Sequence, residues 1–279
     1  MMLRAGLIQL SASDDPESNL AATAALIRAA AAGGAALALT PEVTNIVSTS
    51  RERRDALTHP QESDPTLAAL RALAAELGVW LLIGSLLVRT DDPAGRLANR
   101  SFLIDDAGAI RATYDKIHLF DVAVDAVETH RESAAIRPGA RAVVADTPWG
   151  GLGMTVCYDL RFGALHRALA QAGAAILTVP AAFTPPTGRA HWEVLLRARA
   201  IETGCFVLAP AQCGVHPAAP GAALRETWGH SLAVDPWGAV LADGGDAPGV
   251  TLVDLDLDAV AQARARIPAL THDRAFTLG

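Results

Sequence analysis

Short apolar runs alternate with helical stretches along the first third of the chain. Residues 4–10 form an apolar run that predicts a strand, and Asp15-Pro16 supplies an N-cap and a first-turn proline for a helix that closes at Gly33-Gly34. Residues 35–39 predict a second apolar strand, which runs directly into Glu42. The pattern indicates a strand, helix, strand unit with a carboxylate at its C-terminal end, where α/β proteins keep their chemistry.

The same alternation continues to the middle of the chain. A capped helix is predicted over residues 64–78 and an apolar strand over residues 79–88. Residues 97–104 and 109–114 flank the turn sequence Asp-Asp-Ala-Gly, which predicts a hairpin and therefore a sheet that is not purely parallel. The second arm of this hairpin delivers Lys116 to the end of a strand.

A third chemically interesting residue ends a buried strand in the second half. Residues 151–157 alternate in apolar character up to Cys157, and the polar sequence Tyr-Asp-Leu-Arg follows. An isolated cysteine is more often a small buried hydrophobe than a nucleophile. An amphipathic helix is predicted over residues 191–203, after a proline-rich loop, with Val194, Leu195, Ala198 and Ile201 facing inward. Further elements are predicted as a helix over 164–172 and strands over 174–179, 205–210, 231–234 and 250–255.

Residues 121–139 show no clear period and are rich in carboxylates. Loops of this length inside a compact domain are usually functional or disordered. We therefore expect a long loop that covers the site.

Two strand-rich halves, each with helices to cover one face, predict an α/β fold in which two sheets pack together with helices outside, a four-layer α-β-β-α sandwich. In such an arrangement the strand ends that bear Glu42, Lys116 and Cys157 come close together. With 51% hydrophobic residues the chain can bury a large core, and no linker-like stretch divides it. A single domain over residues 1–279 is expected.

Charge and cysteine content exclude several partners. The net charge of -7 argues against a nucleic-acid or anionic-membrane partner, and no apolar run approaches the length of a membrane span. Three cysteines without a CxxC pair or clustered histidines fit a reducing compartment and give no zinc signature. We expect a cytoplasmic protein without a metal or other cofactor.

Lysine is almost absent from the chain. Of 23 basic residues 22 are arginines, and the only lysine is Lys116. A compositional bias against lysine is the simplest explanation of the skew. A functional explanation is also open, because only lysine offers a compact point charge whose pKa is readily tuned.

Four segments carry a resemblance to a known family. They are TPEV around Glu42, YDKIHLFD around Lys116, GMTVCYDLRF around Cys157, and TGRAHWEVLLRARAIET at residues 187–203. In this order they resemble the nitrilase superfamily of carbon–nitrogen hydrolases, over nearly the whole chain. Residues 191–206, the AQCG at 211–214 and the GHSLAVDPWG at 229–238 look most like the branch that holds deaminated-glutathione amidases, with omega-amidases as nearest neighbours.

The resemblance implies a covalent mechanism. Cys157 would attack an amide carbonyl and form a thioester, which divides a difficult hydrolysis into two easier steps. Glu42 would act as general base toward the thiol and then protonate departing ammonia. Lys116 and the backbone N–H of Tyr158 would hold the oxyanion. A second, supporting glutamate is implied, and family spacing matches Glu132 better than Glu128.

Substrate contacts are less well defined by the resemblance. Deaminated glutathione is the expected substrate, with alpha-ketoglutaramate or a nitrile or N-carbamoyl compound as alternatives, and a non-catalytic binding protein is disfavoured by the complete triad. Tyr158 and Phe183 are candidate pocket residues, and Arg189 is a candidate for binding the substrate carboxylate. For Arg161 a structural salt bridge is expected instead. Homodimers packed through outer helices are also implied.

Overall fold

The computed structural model describes residues 1–123, 129–221 and 223–279. In these ranges the chain forms two six-stranded sheets, two short two-stranded sheets and a set of α-helices. The strands are β1 (Met2–Gln9), β2 (Leu37–Leu39), β3 (Trp80–Val88), β4 (Ala98–Ile104), β5 (Ile110–Asp115), β6 (Asp121–Ala123), β7 (Thr129–Arg131), β8 (Val143–Thr147), β9 (Gly150–Met154), β10 (Ala174–Thr178), β11 (Phe206–Ala209), β12 (Cys213–Val215), β13 (Glu226–Trp228), β14 (Leu232–Val234), β15 (Val240–Asp243) and β16 (Gly249–Asp256). The helices are α1 (Pro16–Ala32), α2 (Arg51–Leu57), α3 (Pro65–Leu77), α4 (Gly163–Gln171), α5 (Pro185–Thr203) and α6 (Asp258–Arg266).

Both large sheets are mixed. The first has the order β16-β1-β2-β3-β4-β5, with β1, β2 and β3 parallel and the remaining pairs antiparallel. The second has the order β15-β14-β11-β10-β9-β8, with β9, β10 and β11 parallel. The predicted hairpin is β4 and β5, so the prediction of a sheet that is not purely parallel is confirmed.

Two buried cores hold four layers together. Leucines of the first sheet, such as Leu7 and Leu39, share one core with Leu152 and Ile176 of the second, so the sheets pack face to face. The outer face of the first sheet packs against α1 and α3, while Leu196 of α5 packs against the second sheet. The predicted α-β-β-α sandwich is therefore confirmed.

The predicted helix caps are present where the sequence places them. Asp15 accepts a hydrogen bond from the Glu17 amide at the start of α1, and Asp64 accepts one from Leu67 at the start of α3. Gly78 closes α3 with φ of 63°, a conformation that glycine adopts without steric cost.

The inward face predicted for α5 was wrong for Val194 and Ile201, whereas Leu195 and Ala198 are half-buried. Val194 and Ile201 are 68% and 56% exposed, whereas Trp192, Leu196 and Ala200 are buried. The buried face also carries Arg199, whose Nε–H donates to the Leu160 carbonyl at 2.8 Å. Apolarity alone selected the wrong face because a hydrogen-bonded arginine occupies part of the true one.

Three predicted boundaries also need correction. Helix α5 begins at Pro185, inside the predicted proline-rich loop, because proline is well accommodated in the first turn of a helix. Strand β9 ends at Met154, three residues before Cys157. In the expected loop over 121–139, β6 and β7 pair as an antiparallel ribbon.

Two buried histidines predict a loss of stability in mild acid. Burial lowers the pKa of His166 and of His216 to about 4, so the native state binds fewer protons than the unfolded state below about pH 6.5. Each contributes stability that is complete above that pH and is lost as the pH falls toward 4, by roughly 3 kcal/mol per histidine. Urea unfolding under reducing conditions at several pH values measures this loss.

A matched variant isolates the histidine contribution from that of the carboxylates. His216→Gln removes one of the two titrating imidazoles and should make the free energy of unfolding less dependent on pH between 6.5 and 4.5. An unchanged pH dependence in this variant would contradict the assignment.

Candidate active site

Three strand ends from the two sheets converge on one buried cluster. Glu42 follows the end of β2, Lys116 follows β5 directly, and Cys157 follows β9 in the other sheet. Nζ of Lys116 lies 2.8 Å from Oε1 of Glu42. All three residues are buried, with Glu42 at 3%, Lys116 at 2% and Cys157 at 7% exposure. The structure therefore brings the three predicted catalytic residues together.

A close approach of backbone segments positions Glu42. A Cβ added to Gly84 of β3 would lie 2.0 Å from the Thr40 carbonyl oxygen and 2.3 Å from Pro180, which follows β10 of the second sheet, so only glycine fits there. The hydroxyl of Ser85 accepts the Val43 amide at 2.8 Å. The turn that carries Glu42 is thus fixed to β3 at the junction of the two sheets.

Cys157 lies in a strained turn. Its φ is 51°, which is uncommon for a residue with a side chain, and such outliers cluster at functional sites. Its amide donates to the Pro180 carbonyl at 2.9 Å, which holds the turn against the end of β10. The buried carboxylate of Asp159 accepts hydrogen bonds from the Val156 amide at 2.9 Å and the Tyr114 hydroxyl at 2.7 Å. Asp159 therefore ties the cysteine turn to the strand that carries Lys116.

Glu132 is the second carboxylate on Lys116. Its two oxygens lie 3.0 and 2.9 Å from Nζ of Lys116, and Oε2 also accepts the Phe120 amide at 2.6 Å. The amide of Asn99 donates to Oε1 of Glu42 at 2.8 Å and to Oε1 of Glu132 at 3.4 Å, so it links both glutamates. Glu128, the alternative to Glu132, lies outside the described residues.

The charges in this cluster set its protonation state. Burial disfavours ionisation of Glu42, but the Lys116 charge and hydrogen bonds from Lys116 and Cys157 outweigh it and lower the pKa of this carboxyl. Burial likewise opposes the Lys116 charge, yet Glu132 and Glu42 raise its pKa well above the ordinary value. Burial and the Glu42 charge raise the pKa of the Cys157 thiol. At neutral pH the site holds a carboxylate base, an ammonium and a neutral thiol.

The cluster opens into a cavity of about 230 Å³. Its wall combines apolar side chains with several arginines, and Tyr158 and Phe183 lie in it as the sequence predicts. The described residues on the wall that carry polar or aromatic groups include Ser48, Arg54, Phe120, His130, Arg131, Arg161, Thr187 and Arg225. Concave sites of this kind with a few converging polar groups are typical of small-molecule pockets.

Comparison with known proteins decides the family. The family model for carbon-nitrogen hydrolases matches residues 4–265. The chain belongs to the carbon–nitrogen hydrolase family. The prediction of an amide-hydrolysing enzyme and the resemblance to the nitrilase superfamily are thereby confirmed.

Relatives of this carbon–nitrogen hydrolase match it along most of its length. The deaminated glutathione amidase of Yersinia enterocolitica is 40% identical over 271 residues, 96% of this chain and 92% of the relative. The NitFhit protein of C. elegans has a TM-score of 0.89 at 33% identity, over 98% of this chain and 65% of that one. Saccharomyces cerevisiae Nit3, a member of branch 10 of the nitrilase superfamily, has a TM-score of 0.84 at 27% identity, over 99% of this chain and 97% of that one.

The structure does not bring Arg189 into the cavity of this hydrolase. Because α5 begins at Pro185, Arg189 lies in its first turns on an exposed face, and its guanidinium lies over the Trp228 ring at 5.7 Å from the centroid. Thr187, two residues earlier, lines the cavity instead. The candidate carboxylate ligand must therefore be sought elsewhere.

Arg161 lines the cavity, whereas Arg189 does not. Among the described residues its guanidinium has no carboxylate partner, so the expected salt bridge is not formed. It lies 5.7 Å from the Tyr158 ring centroid, 5.5 Å from that of Phe183 and 3.3 Å from Nδ1 of His191. Aromatic faces orient a guanidinium without neutralising it. Arg161 is therefore available to an anionic ligand.

The other two cysteines lie outside this site. Cys205 and Cys213 are buried, and neither lines the cavity.

Within residues 1–123, 129–221 and 223–279, no group of His, Cys, Asp and Glu side chains could hold a metal ion. No helix in these ranges has both the length and the hydropathy needed to cross a membrane.

Proposed function

We propose that this hydrolase cleaves a carboxylate-bearing amide through a thioester on Cys157. The observation that carries the proposal is the buried cluster of Glu42, Lys116, Glu132 and Cys157 at the base of an arginine-lined cavity. A general base, a nucleophile and a fixed positive charge are the groups that acyl transfer needs. No cofactor is required for this chemistry.

The protonation state of the cluster supports a definite order of steps. Glu42 takes the thiol proton as the sulfur of Cys157 bonds to the carbonyl carbon, and the oxyanion is stabilised by Lys116 and the Tyr158 amide. Glu42 then gives the proton to the leaving nitrogen as the carbon–nitrogen bond breaks. A water deprotonated by Glu42 attacks the thioester, releasing the acid and restoring the thiol. Glu132 holds Lys116 in place throughout.

The carboxylate of the acyl half is assigned to Arg161. This guanidinium lies on the same cavity wall as Cys157, four residues along the same turn, and has no carboxylate partner among the described residues. Arginine binds carboxylates bidentately, and a polar pocket discriminates against analogues that leave its groups unpaired.

Deaminated glutathione is the proposed substrate, because the Yersinia enterocolitica relative is named as a deaminated glutathione amidase. The amide of the acyl half joins this compound's acid to cysteinylglycine, so its cleavage releases that dipeptide in place of the ammonia expected from the sequence. Ammonia would be the product from alpha-ketoglutaramate, the omega-amidase substrate, and from a nitrile or an N-carbamoyl compound.

Substrate preference is the test of this proposal. We expect kcat/KM for deaminated glutathione to exceed that for an uncharged aliphatic amide by at least about 100-fold, because the uncharged amide leaves Arg161 unpaired. Product formation should be measured on one enzyme preparation for five compounds. They are deaminated glutathione, the uncharged aliphatic amide, alpha-ketoglutaramate, a nitrile and an N-carbamoyl compound. A preference for the uncharged amide would contradict the substrate class without touching the thioester mechanism.

Two arginine variants make this test specific. Arg161→Gln should lose most of the preference for the charged amide, whereas Arg189→Gln, an identical substitution outside the cavity, should retain it. Equal effects of the two substitutions would show that the general loss of positive charge matters and that Arg161 has no direct role.

The same proposal includes a single hydrolase domain over residues 1–279, a homodimer and a cytoplasmic location. The match of the family model to residues 4–265 supports one domain. The exposed apolar side chains of Val194 and Ile201 on α5 support packing between outer helices of two copies. Three free cysteines are compatible with a reducing compartment.

A further inference from the structure

Two more arginines reach the cavity without an ion-pair partner among the described residues. Arg54 of α2 donates to the Ser48 carbonyl at 2.6 Å, and Arg225 donates to the Ala182 carbonyl at 3.2 Å. Neither forms an ion pair with any carboxylate of the described residues. Nε of Arg225 is buried and has no hydrogen-bond partner among the described residues. Both guanidinium groups therefore keep unused donors in the cavity.

The segments that carry these arginines are fastened to each other. The Asp14 carboxylate forms an ion pair with Arg53, whose Nε lies 2.8 Å from Oδ2, and accepts a hydrogen bond from the Ala219 amide at 3.0 Å. These contacts join α2 to the segment before β13. The Thr49 hydroxyl donates to the Ala223 carbonyl at 3.0 Å. These bonds fix the segments that carry Arg54 and Arg225 at the cavity, where the two guanidinium groups are close enough for their charges to repel each other. Two like charges held together at one side of a cavity favour an anionic ligand.

The position of this pair relative to Glu42 indicates which half of a substrate it meets. Arg225 is near enough to Glu42 for its charge to favour ionisation of that carboxyl. Val43, Ile46, Val47 and Ser48, which follow Glu42 in the chain, line the same cavity as Arg54. Since Glu42 must protonate the leaving nitrogen, the leaving group lies on this side, whereas Arg161 lies on the side of the Cys157 turn.

We propose that Arg54 and Arg225 form a second anion subsite, which binds a carboxylate on the leaving group. The substrate class is then an amide with a carboxylate on each side of the scissile bond, one on the acyl half at Arg161 and one on an amino-acid or peptide leaving group at Arg54 and Arg225. This inference rests on the proposed function and specifies it further. A primary amide, whose leaving group is ammonia, leaves the second subsite empty.

The test varies the leaving-group carboxylate while the acyl half stays constant. Three substrates share the acyl half of deaminated glutathione and release cysteinylglycine, cysteinylglycine amide or ammonia, and the acid product is measured for each. Wild-type enzyme should show a kcat/KM for the free-carboxylate substrate about 10- to 100-fold above that for its carboxamide, as expected for charge-assisted hydrogen bonds.

Variants locate the effect in the subsite. Arg225→Gln and Arg54→Gln should each reduce that ratio at least about threefold, because each substitution removes a charge that contacts the free carboxylate and is not matched by the carboxamide. Arg51→Gln is the matched control, because Arg51 lies on the same helix but is exposed and pairs with Asp55. It should keep the wild-type ratio. Thermal unfolding of each variant checks that the fold is retained.

Different results separate the two proposals. Hydrolysis of both dipeptide substrates at equal rates, or a ratio that Arg225→Gln and Arg54→Gln leave unchanged, overturns the second subsite while the proposed function stands. Hydrolysis of the primary amide alone overturns the proposed substrate and the subsite together. A ratio that falls in the two cavity variants and holds in Arg51→Gln supports the inference.

Discussion

Cys157→Ala is expected to abolish turnover, with kcat reduced by at least about 10⁴-fold, while the protein stays folded. The substitution removes one sulfur atom, which is the only atom that forms the proposed thioester, and it keeps a side chain of similar shape in the turn. Turnover of the amide substrate and circular dichroism of the same sample measure both outcomes. Mass spectrometry of acid-quenched wild-type enzyme should detect an acyl adduct that the variant lacks.

The other two cysteines supply the control for this experiment. Cys205→Ala and Cys213→Ala remove equally buried thiols outside the cavity, and burial raises the pKa of Cys213 to about 11, which keeps its thiol protonated. Both variants should hydrolyse substrate at near wild-type rates. Substantial activity in folded Cys157→Ala, or an acyl adduct on Cys205 or Cys213, would contradict the assignment of the nucleophile.

Strand ends were the part of the site that the sequence could predict. Apolar runs, helix caps and the hairpin turn are local signals, and each reports where a strand stops. Because the predicted sandwich packs two sheets face to face, the strand ends that bear Glu42, Lys116 and Cys157 could be placed near one another without knowledge of their distances. The resemblance to a family then separated Cys157 from Cys205 and Cys213.

The arginines of the cavity were beyond the reach of the same reasoning. A chain with 22 arginines gives each of them the same local signature, so only tertiary structure can separate Arg161 from Arg189. Arg54 lies on α2, a seven-residue helix with no buried residue and hence no apolar stripe to predict it. Arg225 lies in a segment that Asp14 and Thr49 bind from distant parts of the chain. Contacts between residues far apart in sequence have no periodicity.

Helix α5 illustrates a different limit. Its existence and its C-terminal end followed from periodicity, and in the structure Gly204 closes it with φ of 59°. Its orientation did not, because the buried face pairs Leu196 and Ala200 with the hydrogen-bonded Arg199. A satisfied polar group inside and apolar side chains outside cannot be recognised from hydrophobicity alone.

Lys116→Arg is expected to lower kcat by about 10²- to 10³-fold, although it conserves the charge. Nζ of Lys116 contacts Glu42 at 2.8 Å and Glu132 at 2.9 Å in a buried site, so it is held as a compact charge between two carboxylates. A planar guanidinium is larger and directs its donors in a fixed fork, which would displace Glu42 from the thiol and misalign the oxyanion donor. Single-turnover kinetics measures the acylation rate directly.

An exchange between arginine and lysine at an exposed position is the control for Lys116→Arg. Arg28→Lys alters an exposed ion pair with Glu76, whose two guanidinium bonds are 2.6 and 2.7 Å, and should leave kcat/KM unchanged. If Lys116→Arg also kept the wild-type acylation rate, the presence of a single lysine at this position would reflect only the compositional bias of the chain. Any side chain with one positive charge would then support acylation. A large loss at Lys116 with none at Arg28 would mean that the point-charge geometry between Glu42 and Glu132 is what the reaction requires.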